Sequence, residues 1–281
     1  MPEPRTIRAG IVLGESPRWH DGRIWYADWG TQEVVAVDAE GEAETVARVG
    51  ALPICFGWLP DGRMLVVSGA DGVLLRRELD GSLVPHADLT ALADPPWNDI
   101  VVDGRGNAYV GNTGFAFPAE EFAPGRVALV HPDGSARIVA EDLALPNGMA
   151  VTPDNGTLVV AESYGRRLTA FSIDARGDLS RRRVWADLGD GVPDGICLDG
   201  EGAAWYGDVP NRRCVRVREG GEVLGTLELD RGCFACTLGG EDGCTLFMVA
   251  AHWRGTTSTT GEPPSGRLLA TAAPAPGAGW P

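Results

Sequence analysis

A turn signature recurs six times along this chain, and the recurrence limits the fold more than any other feature. His20-Asp21-Gly22, Pro60-Asp61-Gly62, Asp103-Gly104-Arg105-Gly106, Pro153-Asp154-Asn155-Gly156, Asp199-Gly200-Glu201-Gly202 and Glu241-Asp242-Gly243 each follow one short apolar run and precede another. The glycines fall about every 40–50 residues, the period of propeller blades and comparable arrays. The clearest copy is Leu145–Asp174, where Met149–Val151, Thr157–Ala161 and Arg167–Ile173 are short runs rich in Val, Leu, Thr or Phe. Pro153–Gly156 and Tyr164–Arg166 separate them as tight turns, which makes the segment an antiparallel meander.

Nothing between the turns holds a helical period with caps, so a solenoid of helix pairs is excluded. A ring of small sheets hides its own edges, which keeps so much strand soluble. The expected fold is therefore all-β, a six-bladed β-propeller forming one domain over residues 1–281. Each blade should carry four strands, the fourth with the weakest signal. Ala9–Leu13 and Arg267–Ala272 stand alone at the two ends and should pair to complete one blade, leaving an irregular tail.

Composition narrows the partners. A content of 44% hydrophobic residues supports a large core, and 39 Gly with 20 Pro suit a turn-rich chain. A formal net charge of −15 argues against nucleic acid or an anionic membrane, because both require a basic surface. The N-terminal segment lacks an apolar signal core and no run is long enough to span a bilayer, so a cytoplasmic protein acting on a small molecule is expected. The six cysteines show no framework spacing. Cys233-Phe234-Ala235-Cys236 has neither the second pair that zinc needs nor the helix that a redox pair needs, and reads as packing.

One position in each repeat carries the chemistry. Glu15, Cys55, Asn98, Asn147, Asp194 and Cys236 occupy similar phases at the starts of the inner strands. Inner strands line one channel, so four of these residues direct oxygen donors, two carboxylates and two amides, to its mouth. Taken singly, Asn and Asp beside Pro and Gly are ordinary turn residues; it is their shared phase that distinguishes them. Two carboxylates in a narrow channel repel, and a hard cation relieves that repulsion while accepting amide oxygens as further ligands. An all-oxygen set favours Ca²⁺, Mg²⁺ or Mn²⁺.

Gly14-Glu15-Ser16-Pro17, Asn98-Asp99, Leu145-Pro146-Asn147-Gly148 and Pro193-Asp194-Gly195 resemble, in order and at compatible spacing, the motifs of the gluconolactonase, luciferin-regenerating enzyme and senescence-marker-protein family. The resemblance implies a six-bladed propeller holding one divalent metal ion, Ca²⁺ foremost with Zn²⁺, Mn²⁺ and Mg²⁺ as alternatives. It implies Glu15, Asn147 and Asp194 as ligands, with Asn98 on the metal or the substrate. It also implies lactone hydrolysis; because Ca²⁺ acidifies water only weakly, a carboxylate base would help, and Asp194 is the candidate, with Asn98 as a further catalytic candidate.

The departures from that family bear on substrate. Sugar-lactone members carry an arginine where this chain has Pro96, and a glutamate where it reads Gly114-Phe115-Ala116-Phe117. Trp97, Phe115 and Phe117, with Cys55 and Cys236, are the expected walls of a less polar substrate site, because apolar walls cannot satisfy many hydroxyls. Gly114–Gly125 and Trp253–Ser265 follow second strands and should overhang the same face as lids. Asp28, Ser68, Asn112, Glu162, Asp208 and His252 end second strands there, and His252 is the candidate proton donor to a leaving oxygen. No nucleophile elbow, phosphate loop or dinucleotide fingerprint is present. The expected function is metal-dependent hydrolysis of a cyclic ester. A cyclase or isomerase using the same site, and a non-catalytic calcium-binding propeller, are the alternatives.

Overall fold

The chain closes into six four-stranded antiparallel sheets arranged as a ring, a six-bladed β-propeller. A computed structural model describes residues 2–116, 120–253 and 264–281. Blades one to five run Gly14–Arg48, Phe56–Asp88, Trp97–Leu143, Pro146–Asp187 and Pro193–Glu228, each a meander read from inside outward. Blade six joins Gly232–Gly239, Thr245–Ala251 and Gly266–Ala272 to the N-terminal strand Arg5–Ile11. The expected pairing of the two ends is therefore found, with Arg5 opposite Ala270 and Ile11 opposite Gly266.

The outer strands are present in every blade, and their weak signal has a simple cause. Ala43–Arg48 and Leu179–Asp187 are largely solvent-facing, so they lack the apolar alternation that marks a half-buried strand. Cores form between neighbouring sheets: one unites Leu65, Leu74, Trp97, Ile100 and Val110 of blades two and three. Another unites Val159, Leu168, Ile196, Tyr206 and Val217 of blades four and five. Each is dry and built from the alternate faces of strands.

The segment read as an irregular tail is hydrogen-bonded. Val151 N donates to Trp280 O at 2.7 Å, Trp280 N to Val151 O at 2.9 Å, and Ala278 N to Leu198 O at 3.0 Å. Val151 and Leu198 end the inner strands of blades four and five, so the tail fastens those blades at the end of the channel away from the donor residues.

Candidate metal and substrate site

The inner strands share a local irregularity that aims the donors. In blade three Trp97 faces Asn112 but Ile100 faces Val110, so one extra residue bulges from the inner strand between them. The same bulge lies between Glu15 and Arg18, between Pro146 and Met149, and between Pro193 and Ile196. A bulge breaks ladder pairing and re-aims a side chain. Glu15, Asn98, Asn147 and Asp194 sit at or within these bulges, and all four line one cavity of about 420 Å³.

Hydrogen bonds tie the bulges together. Asn98 Nδ2 donates to Asn147 Oδ1 at 3.1 Å, Asn147 Nδ2 to Ser163 Oγ at 3.3 Å, and Ser163 Oγ to the Pro193 carbonyl at 2.6 Å. Beneath them, Asp99 accepts from Arg18 Nη2 at 3.2 Å and from Met149 N at 3.0 Å. The Arg18–Asp99 pair is buried and joins blades one, three and four. At blade one Ser16 adopts φ 51° and its Oγ accepts from Phe56 N of blade two at 3.2 Å.

The electrostatics are unfavourable to two free carboxylates. Burial raises the Glu15 carboxyl well above its ordinary value, and Asp194 and then Asp99 add like charge. Burial likewise raises Asp194 well above its ordinary value, with Asp99 reinforcing and an Asn147 hydrogen bond opposing. No Lys or Arg is among the described residues lining the cavity. Among the described residues no cluster of three or more His, Cys, Asp or Glu is arranged to hold an ion; the set here pairs two carboxylates with two amides. That set fits a hard divalent cation, which offsets the paired charge and takes oxygen donors.

The walls above the donors are apolar: Leu13 and Trp29 from blade one, Pro53 from two, Pro96 from three, Leu145 and Tyr164 from four, Val192, Val209 and Pro210 from five, and Phe234 and Trp253 from six. The polar groups among them have partners in the backbone. Trp29 Nε1 donates to Ile54 O at 2.7 Å, and Thr113 Oγ1 to Phe115 O at 2.8 Å.

Several expected site residues lie elsewhere. Trp97 is fully buried in the core between blades two and three, and Cys55 packs in the same cluster. Cys236 packs in the core between blades five and six, its Sγ 3.9 Å from the Gly195 carbonyl. The reason in blade six is again a bulge, between Cys233 and Ala235, and Phe234 is the residue that lines the cavity. Blade two has only a three-residue inner strand, Phe56–Trp58, and offers Pro53 instead of Cys55. His252 is exposed, its backbone N–H donating to Ser265 Oγ at 3.2 Å, and it is not a lining residue; the next residue, Trp253, lies over Phe234 at 5.8 Å. The proton-donor expectation for His252 is corrected accordingly.

Phe115 stands behind the wall, 5.8 Å from the ring of Tyr164. Phe117 lies outside the described residues, as do 254–263 of the second expected lid. The second-strand ends serve the loops: Asp28 accepts from the Val12, Leu13 and Gly30 amides, and Glu162 from the Ala144 amide. Trp29, Tyr164 and Phe234 line the cavity and the sequence reading missed them; only their position one or two residues past a second strand, or inside a bulge, marks them, whereas Trp253 opens the loop expected to overhang this face.

Fold and site together define a class: propellers with a cavity at the channel mouth, floored by side-chain oxygens. The chain belongs to the SMP-30/gluconolactonase/LRE-like family, whose model matches residues 13–252. It is 25% identical over 285 residues to the 6-deoxy-6-sulfogluconolactonase of Pseudomonas putida, covering 98% of this chain and 96% of that one. A luciferin-regenerating enzyme structure superposes with a TM-score of 0.83 at 18% identity, covering 98% of each chain. A calcium-binding protein, regucalcin, from Agrobacterium tumefaciens superposes with a TM-score of 0.79 at 23% identity, covering 98% of this chain and 95% of that one.

Proposed function

We propose that this chain hydrolyses a cyclic ester less polar than a sugar lactone, using one divalent cation, Ca²⁺ foremost, held by Glu15, Asn147 and Asp194 with Asn98 beside them. The observation that carries the reading is the pair of buried, repelling carboxylates at the floor of an apolar cavity. A scaffold has no use for that arrangement, whereas a cation site does. The lactonase among the relatives supports the reaction class, and the calcium-binding regucalcin among the structural neighbours supports the ion.

A bound divalent cation supplies a Lewis acid for the ester carbonyl. The chain's own residues do the rest. Asp194 takes a proton from the attacking water as general base. The water oxygen bonds to the carbonyl carbon, the ring C–O bond breaks, and the proton held on Asp194 is available to the departing alkoxide. Glu15 acts as a ligand, and the Asn98–Asn147 hydrogen bond holds the two amides together at the cavity floor. The less polar substrate is supported by a lining whose Trp29, Thr113 and Ser163 donors are engaged by backbone carbonyls.

Asp194→Asn keeps an oxygen donor and loses the base. At saturating Ca²⁺, with the ion verified as bound, turnover of a lactone panel should fall by roughly 10²–10⁴-fold. Glu15→Gln should regain much of its loss as Ca²⁺ is raised. Wild-type turnover by Asp194→Asn with the ion in place would remove Asp194 as the base.

A further inference from the structure

The cavity is graded from floor to rim, and the gradient is not the same all round. Glu15 and Asn98 at the floor are each 9% exposed, whereas Tyr164 is 50% and Trp253 42% exposed at the rim. Tyr164 belongs to blade four and Trp253 to blade six, so blade five stands between them in the ring. At that position blade five offers half-buried Val192 and Val209 and exposed Pro210. An apolar arc therefore rises over Asp194, with an aromatic ring at each end. Both posts pack on another ring: Tyr164 stacks on exposed Phe122 at 5.9 Å and an interplanar angle of 30°, and Trp253 rests on buried Phe234. Rings packed in this way present an apolar surface, the usual makings of a pocket for an apolar group.

We infer that the substrate carries an apolar arm, and that this arm leaves the cavity over blade five between Tyr164 and Trp253 while the ring ester sits on the four oxygen donors. The inference rests on the proposed lactone hydrolysis and adds to it the substrate class, an alkyl-substituted lactone, and its orientation. Among the described residues lining the cavity, those of blades one to three include the walls Leu13, Trp29, Pro53 and Pro96, none of them an exposed aromatic. Val209 and Trp253 become the residues that select for the arm.

The test compares γ-butyrolactone, which has no arm, with γ-nonalactone, and measures by calorimetry the binding of the lactam analogue of γ-nonalactone, which resists hydrolysis. Wild type should prefer γ-nonalactone in kcat/KM by at least about 10-fold, the scale on which apolar contacts discriminate. Val209→Asp and Trp253→Ser should each collapse that ratio and weaken lactam binding about 10-fold, with circular dichroism and melting temperature confirming an intact fold. Equal kcat/KM for the two lactones, or a ratio and lactam affinity untouched by both variants, would overturn the arm while leaving lactone hydrolysis standing. Lactam binding that Val209→Asp abolishes, with no lactone hydrolysed, would uphold the arm and defeat the hydrolysis.

Discussion

At the residue scale the central pair is Glu15 and Asp194. Both carboxyls hold protons more tightly in the folded chain than in the unfolded one, through burial first and then nearby like charge, Asp194 and Asp99 beside Glu15, and Asp99 and Asp208 beside Asp194. Raised folded values mean that their ionisation opposes folding: the associated stability is present below the ordinary carboxylate range and is lost as pH climbs through the raised values. Asp194→Asn removes one of the charges. In chelator-containing buffer the variant should therefore gain stability relative to wild type as pH rises from about 4 toward 8. Denaturant melts of both proteins across that range check it; a difference independent of pH would mean that folding does not raise the Asp194 carboxyl. The four donors were legible because they share a phase at the starts of the inner strands, three of them beside Pro or Gly. Trp97 and Cys236 were misread for the opposite reason: one extra residue in a strand changes which side chain faces the channel, and no residue type announces it; Cys55 precedes a three-residue inner strand and packs into the core instead.

At the scale of elements, the bulged inner strands must approach closely to bring donors from different blades to one cavity. Glycine makes this approach feasible at Gly195, where a Cβ would fall 2.2 Å from the Ala235 Cβ and 2.8 Å from its Cα. The obstruction comes from a neighbouring strand rather than the end of a flexible side chain. Gly195→Ala should push blades five and six apart, costing about 1–3 kcal/mol as overpacking does and shifting the adjacent Asp194. Urea melts should show the loss, and Ca²⁺ should protect the variant less than it protects wild type. Unchanged stability would show that the inner strands have slack. The meanders themselves were legible from turn chemistry, and the fourth strands were not, because a solvent-facing strand such as Ala43–Arg48 has little apolar pattern to display.

At the scale of the whole molecule, the ring is closed by Arg5–Ile11 pairing with Gly266–Ala272, a closure the isolated strand signals at the two ends foretold. The tail's attachment to Val151 and Leu198 was not legible, since Pro and Gly conceal a segment that borrows its hydrogen bonds from other blades. On the opposite side the four donors come from blades one, three, four and five, so a cation seated among them would tie two-thirds of the ring together. An ion that binds only the folded chain stabilises it by about 2.7 kcal/mol at a hundred times its Kd. For a chain of this size that is a melting-temperature rise of about 5–10 °C. The most direct measurement is a calorimetric titration of Ca²⁺ into chelator-stripped protein, followed by a thermal melt of the loaded sample. One ion per chain and a rise of that size are predicted. No binding heat and no thermal shift with Ca²⁺, Mn²⁺ or Zn²⁺ would contradict the cation site.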